Sequence, residues 1–132
     1  MSFDMFINFF RTGEPQKISR ATIARAFGAF ADMEGDRGWW NLVDSSGVLI
    51  LGDEDEIDCL CVNRPPYAEH PFWPALVHFL RETGGVLYWP GGGQVVTDQE
   101  VVAHLPPEMI ESFGPPIVTA SVQRILETVS ES

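Results

Sequence analysis

The sequence predicts a single α+β domain built on a mostly antiparallel sheet of about five strands. The predicted order is strand, helix, three-strand meander, helix, strand, with two main helices and short helices at the C-terminus. This prediction depends on alternating apolar patterns, on two amphipathic stretches of helical period, and on Gly- and Pro-rich breakers between them. Because the 132 residues suffice for one hydrophobic core, we expect 1–132 to fold as one domain.

The first half of the chain contains a strand, a helix and a meander. Residues 3–10 alternate between two largely apolar faces, which is typical of a strand inside a sheet. After the turn TGEP, Ser19 is placed to cap a helix over 20–30. A polar loop at 32–38 leads into three short strands, WWNLVD, GVLIL and IDCLCV, whose DSSG and GDEDE links predict an antiparallel meander.

The second half begins with the clearest helical pattern, HPFWPALVHFLRETGG. Its prolines stand in the first turn, where a missing amide donor does little harm, and Gly84-Gly85 ends the helix. VLYW at 86–89 is predicted to be the last strand. TDQE fits a capping box that begins at Thr97, and apolar spacing over 120–129 predicts a closing helix.

The net charge disfavours two classes of partner. Eight Lys plus Arg against nineteen Asp plus Glu give a formal charge of -11. This is the wrong sign for phosphate backbones or anionic lipid, so we expect neither nucleic acid nor a membrane as partner. The whole imbalance lies in residues 41–132. A negatively charged surface in this part of the chain would attract and orient a basic protein partner. The alternative explanation of the acidic residues is that they serve solubility alone.

The densest acidic run is predicted to be the partner-binding surface. Its carboxylates are Asp53, Glu54, Asp55, Glu56 and Asp58. The order of an EF-hand is missing, and adjacent carboxylates should splay at a hairpin tip. A solvated or edge-capping loop is therefore favoured over a calcium site, and we expect no metal and no cofactor.

Paired aromatic residues form a second candidate surface. Trp39-Trp40 and Tyr88-Trp89 lie at or beside strands, where neighbouring side chains face opposite ways, so one ring of each pair is expected outside. We assign Trp40 and Trp89 to the partner-binding surface. The alternative is that helices cover both faces of the sheet.

The cysteines and histidines do not indicate a catalytic site. Cys59 and Cys61 are too tightly tethered for an easy disulfide, which predicts reduced thiols and a cytoplasmic location. The acidic loop beside Cys61 should raise its pKa, which disfavours nucleophilic catalysis. The three histidines, His70, His78 and His104, lack metal-ligand spacing.

Two further segments have structural interpretations. The glycine run at 91–93 lacks the Lys of a phosphate loop, and Asp98 and Glu100 would repel phosphate at the next helix start, so a flexible turn is expected. The N-terminal apolar stretch is interrupted by Asp4 and Asn8, and it resembles neither a signal peptide nor a membrane span.

Four segments together resemble small acidic bacterial proteins of unassigned role, namely MSFDMFINFF, GDEDEID, VLYWPGGG and VTDQEVVAHLPP. Some of that group are thought to be immunity proteins, which neutralise a toxin made by the same cell. The resemblance implies a cytoplasmic, non-catalytic inhibitor whose acidic surface covers a basic toxin active site. It supplies no site residues.

The leading hypothesis is therefore a non-catalytic protein-interaction module of the immunity type that binds a basic partner through its acidic surface. The alternative is a small-ligand or metal-binding domain with an aromatic-lined pocket that includes Cys61 and His78. A homodimer that buries an edge strand is a third hypothesis.

Overall fold

The computed structural model describes residues 4–33, 38–44 and 47–130. These residues form five helices, a mixed sheet of seven strands and two small two-stranded sheets. The predicted α+β class is confirmed at this level, whereas the prediction of about five strands is wrong. Within the described ranges, no helix is long and apolar enough to cross a lipid bilayer.

Strands and helices are interleaved along the whole chain. In order, the strands are β1 (Asp4–Asn8), β2 (Phe10–Arg11), β3 (Glu14–Pro15), β4 (Ile18–Ser19), β5 (Trp39–Asn41), β6 (Val48–Ile50), β7 (Glu56–Ile57), β8 (Cys59–Asn63), β9 (Val86–Tyr88), β10 (Gln94–Val96) and β11 (Ile117–Val118). The helices are α1 (Arg20–Phe27), α2 (Phe72–Thr83), α3 (Gln99–Val102), α4 (Pro107–Phe113) and α5 (Val122–Ser130).

The first strand lies in the middle of the main sheet, whose order is β11-β10-β9-β1-β8-β6-β5. β1 pairs antiparallel with both β8 and β9, whereas β10 and β11 pair parallel. β5, β6 and β8 pair one after another as the predicted antiparallel meander. The small sheets pair β2 with β3 and β4 with β7.

Several element boundaries differ from the predictions. β10 and β11 are not among the predicted strands, because each is very short and follows a Gly- or Pro-rich breaker. α1 ends at Phe27, earlier than predicted. α3 is capped by Asp98, whose carboxylate accepts the Glu100 N–H at 2.9 Å, rather than by Thr97. The Thr97 hydroxyl is buried and makes no such bond.

Three predictions fall partly on residues that the structure does not describe. They concern residues 34–37 of the polar loop, 45–46 of the DSSG turn, and Phe3 of the first strand. The predicted end of α2 is confirmed, because Gly84 adopts a left-handed conformation with φ 70° and donates its N–H to the Leu80 carbonyl.

Helices α1, α2 and α5 pack against one side of the sheet, which we call the inner face. Alternate residues of the central strands point there, and Ile7 and Leu60 have no exposed surface. Phe27 of α1 packs between Phe72 and Phe79 of α2, with ring centroids 5.6 and 5.2 Å away. Because apolar burial contributes about 25 cal/mol per Å², the buried side chains of this face stabilise the fold.

The opposite side of the sheet, the outer face, is covered at one end. There Val86 and Val96 form a second buried cluster with Leu105, and residues of α3 and α4 pack against it. Toward β5, Val48 is buried, whereas Cys61 and Ile50 are only partly buried and Trp39 is 46% exposed. We call the part of the outer face formed by β1, β8, β6 and β5 its accessible half. It lies beside the acidic loop at 53–58, because Gly38, which precedes Trp39, accepts the N–H groups of Leu51 and Gly52.

A buried histidine, His70, contacts both the start of α2 and the connection between β5 and β6. The His70 Nδ1 accepts the N–H of Phe72 at 2.9 Å, and Nε2 lies 3.1 Å from Oδ2 of Asp44. Since Nδ1 is an acceptor, the ring proton is on Nε2 and is donated to the carboxylate. Both ring nitrogens therefore have structural partners.

Candidate functional site

The acidic run lies on a loop between β6 and β8 that is held against the start of α1. Ile18 pairs with Ile57, and Ser19 pairs with Glu56, so the end of the loop forms part of the small β4–β7 sheet. The Arg20 N–H also donates to the Asp55 carbonyl at 2.8 Å. Main-chain pairing therefore fixes the position of this loop on the fold.

The Arg20 side chain donates hydrogen bonds to main-chain carbonyls of the same loop. Its Nε and Nη2 donate to the Glu54 carbonyl at 3.2 and 2.6 Å, and Nη2 also donates to the Gly52 carbonyl. The guanidinium carbon lies 6.0 Å from the centre of the Trp40 ring. These three bonds engage main-chain oxygens, so the loop is ordered through its backbone.

Four of the five predicted carboxylates line one shallow cleft of about 360 Å³. They are Asp53, Glu54, Glu56 and Asp58. Lys17 lies in the same cleft, with its Nζ 3.6 Å from Oε2 of Glu54. Pairing of β7 with β4 places this loop beside the segment before α1, and the carboxylate side chains of the loop are exposed.

The predicted aromatic positions divide between core and surface. Trp40 and Trp89 are 3% and 1% exposed, so neither ring is available to a partner. Both point to the inner face, where helices cover them. Within each pair, the neighbouring residue points outward: Trp39 is largely exposed and Tyr88 partly so. Of these four aromatic residues, only Trp39 and Tyr88 are therefore available for contact with a partner.

Strand register places five of these outward residues in one line across the sheet. Trp39 is opposite Ile50, Ile50 is opposite Cys61, Cys61 is opposite Phe6, and Phe6 is opposite Tyr88. Directly opposed residues of antiparallel strands point to the same face. With strands about 4.8 Å apart, the line is about 19 Å long. We call these five residues the outer row.

Polar residues border the outer row on both sides. On one side, Asn63 donates to the Asp4 carboxylate at 2.7 Å. On the other, the Tyr88 hydroxyl donates to Oδ1 of Asn8 at 2.7 Å. Next to Asn8 lies Cys59, its partner in the β1–β8 pairing. A largely apolar line with polar borders is the usual anatomy of a protein–protein contact surface.

The two thiols on this face are poor nucleophiles. Burial raises the pKa of Cys61 from 9.0 to about 11, and the Asp4 carboxylate adds to the rise. Burial also raises the pKa of Cys59; its hydrogen bond with Tyr88 opposes the rise, and Asp58 adds to it. Since the thiolate is the reactive and metal-binding form, both groups are protonated and inert near neutral pH.

Metal-ligating side chains are also dispersed over the part of the chain that the structure describes. Among those residues, no group of three or more His, Cys, Asp or Glu is arranged to hold a metal ion. Cys61 and His78, which the alternative hypothesis places in one pocket, are far apart in the architecture. Cys61 is on the outer face, whereas His78 is on the exposed side of α2, which packs on the inner face.

A second cleft, of about 440 Å³, lies between the β2–β3 hairpin and the C-terminal end of α2. Phe10, Arg11 and Lys17 line it together with Glu82 and His104. The His104 Nδ1 accepts the Thr12 N–H at 3.0 Å, which leaves Nε2 as the ring donor. This cleft has aromatic and cationic groups in an otherwise acidic protein.

The outer row could not be recognised from the sequence. Phe6, Ile50 and Trp39 are apolar residues in separate strands, and only the pairing register brings them into line. Lys17, by contrast, could have been singled out from the sequence. It is the single lysine of the chain, and it lies two residues before Ser19, the predicted helix cap.

Comparison with models of protein families, with curated proteins and with solved structures finds no match to this chain.

Proposed function

We propose that this chain is a non-catalytic protein-interaction module that binds a basic protein partner through its acidic loop. The observation that carries the proposal is the cleft that Asp53, Glu54, Glu56 and Asp58 line. The resemblance to immunity proteins suggests the biological form of this activity, an inhibitor whose acidic surface covers a basic active site.

Lys17 supports the chemistry of this proposal. Its ammonium group pairs with Glu54 in the cleft that the four acidic residues line, and both Lys17 and Glu54 are more than half exposed. The cleft thus already accommodates a cation of the kind that a basic partner would present. Each exposed pair contributes only about 0–1 kcal/mol, so the cleft would act mainly through steering and selectivity.

The chemistry of the neighbouring groups favours binding over catalysis. Burial raises the pKa of both Cys59 and Cys61. Both nitrogens of His70 are engaged by Phe72 and Asp44. A nucleophile–base pair needs an activated nucleophile and a base free to accept its proton, and these residues provide neither.

The proposal can be tested with two fluorescein-labelled peptides, one alternating Lys with Ser and the other alternating Glu with Ser. Fluorescence polarisation would be measured over a series of salt concentrations. The test variant combines Asp53→Asn, Glu54→Gln, Glu56→Gln and Asp58→Asn. The control variant removes the same charge elsewhere by combining Glu100→Gln, Glu108→Gln, Glu111→Gln and Glu127→Gln, all at exposed positions.

We expect the wild-type protein to bind the Lys peptide and not the Glu peptide. The test variant should lose about tenfold in affinity at low salt, the control variant clearly less, and the difference should shrink as salt rises. Equal losses in both variants would mean that net charge alone attracts the peptide. That result, or no binding at millimolar peptide, would contradict the proposal.

A small-ligand function is the second candidate, and the cleft of about 440 Å³ favours it. The combination of Phe10 with Arg11 and His104 suits a small anion that has an apolar part. Such a ligand would raise the melting temperature in a thermal-shift screen by mass action. An Arg11→Gln variant should then lose the shift.

A further inference from the structure

We propose that the outer row is the apolar anchor of the partner interface, and that the partner presents an apolar patch bordered by Lys and Arg. This inference rests on the proposed function and extends it to a second surface. The row consists of Trp39, Ile50, Cys61, Phe6 and Tyr88, in register across five neighbouring strands.

The first argument is the continuity of the row with the acidic loop. Trp39 directly follows Gly38, whose carbonyl accepts the N–H groups of Leu51 and Gly52 at 2.9 and 3.2 Å. At the other end of the loop, Asp58 is close enough to Cys59 to help raise its pKa. The loop therefore joins the accessible half of the outer face at both of its ends.

The second argument is charge. The described strands of the main sheet contain no Lys or Arg, and Asp4 is the one charged residue within them. Asp4 lies near Cys61 of the row, and Asp58 lies near Cys59 at its border. An apolar surface with acidic borders is complementary to an apolar patch with basic borders.

The same charge distribution disfavours a second copy of the chain as occupant. A symmetric contact would bring two chains of formal charge -11 together through one acidic surface. The adjacent sheet edge is also partly occupied, because the Val43 N–H donates to the Phe30 carbonyl and the Asn41 carbonyl accepts the Asp32 N–H. A basic partner meets neither obstacle.

Within the row, Trp39 should contribute most to binding. It is 46% exposed, it lies at the end nearest the acidic loop, and tryptophan is the residue type most enriched at binding hot spots. Phe6 and Tyr88 are already stacked on each other with ring centroids 5.6 Å apart, and Tyr88 also packs against Phe113 of α4 at 4.9 Å, so both rings are held in place and only partly exposed. Preformed aromatic contacts lose little conformational entropy on binding.

The test uses two peptides of equal charge, one built from Lys-Trp-Ser repeats and the other from Lys-Ser-Ser repeats. Amide chemical shifts of the labelled full chain report where each peptide binds, and fluorescence polarisation reports affinity. The test variant is Trp39→Ser. The control is Val43→Ser, which also removes an exposed apolar side chain but lies outside the row, at 72% exposure.

We expect the Lys-Trp-Ser peptide to bind about tenfold more tightly than the Lys-Ser-Ser peptide and to shift amides of β1, β5, β6 and β8. Trp39→Ser should remove most of that advantage, and Val43→Ser should preserve it. Ile50→Ser provides a second variant if Trp39→Ser is poorly folded.

Two results would overturn the inference while the proposed function stands. One is an unchanged advantage in Trp39→Ser with shifts confined to 53–58. The other is sedimentation of the wild-type chain as a dimer that Trp39→Ser dissociates, which would assign the face to a second copy. If neither peptide shifts the amides of 53–58, the proposed function itself fails.

Discussion

Replacing Arg20 with Gln tests whether its guanidinium organises the acidic loop. The side chain donates to the carbonyls of Gly52 and Glu54. A hydrogen bond from a charged group contributes about 1.5–3 kcal/mol, and because these bonds are solvent-accessible we take about 1 kcal/mol for each carbonyl. The expected loss in the free energy of unfolding is therefore about 2 kcal/mol.

This loss converts to a change in melting temperature through the unfolding entropy. At about 2.1 cal/mol/K per residue, a chain of 132 residues has an entropy of about 0.28 kcal/mol/K, so the melting temperature should fall by about 7 °C. Urea denaturation measures the free energy directly. Hydrogen exchange should also show faster exchange at 53–58, where the loop is released.

Arg25→Gln is the matched control, because it removes the same charge from the same helix. Arg25 pairs with Glu82 at 3.0 Å, with side chains 67% and 40% exposed. Such a pair contributes about 0–1 kcal/mol. If Arg20→Gln costs no more than Arg25→Gln, or leaves exchange at 53–58 unchanged, the reasoning about the loop is refuted.

Three further predictions concern single positions. Lys17→Gln should strengthen binding of the Lys-Ser peptide about threefold, because it removes a competing cation from the cleft; an equal gain in Arg124→Gln would contradict this. Gly92→Ala should destabilise the fold by about 2 kcal/mol or more in urea denaturation, since the added Cβ would lie 1.6 Å from the Trp89 indole nitrogen, whereas Gly93→Ala, with nothing within 4 Å, should be tolerated. Because the pKa of Cys61 is raised from 9.0 to about 11, the native state holds this proton more tightly than the unfolded state. Its contribution to stability should be complete below pH 9 and lost as the pH rises to about 11, and a Cys61→Ser variant should show a smaller decline; an identical pH profile would rule out this assignment.

The elements that were predictable from the sequence are those with strong local signals. α2 has a wide apolar stripe, prolines in its first turn and a terminal glycine, and the structure places it at Phe72–Thr83. The β5–β6–β8 meander follows from short links between apolar runs. β10 and β11 were not predicted because each is very short and follows a Gly- or Pro-rich breaker, and because β11 pairs with a strand that lies before α3 and α4.

The candidate site shows the same division. The acidic run is visible in the sequence, but the cleft is not, because it forms only when β7 pairs with β4. In each aromatic pair, alternation along a strand predicts that one ring is buried and the other exposed. It does not say which, and the helices on the inner face bury Trp40 and Trp89. Which ring of each pair is buried therefore depends on long-range packing and not on the local sequence pattern.

The central place of β1 in the sheet has a consequence for how the protein is made. Ile7 is paired on one side with Leu60 and on the other with Leu87, so the sheet closes around a segment that the ribosome synthesises before both of its partners. In a nascent chain this apolar segment lacks its second neighbouring strand until the segment containing Leu87 has emerged. The main sheet therefore cannot be completed around β1 until residues 86–88 have been synthesised.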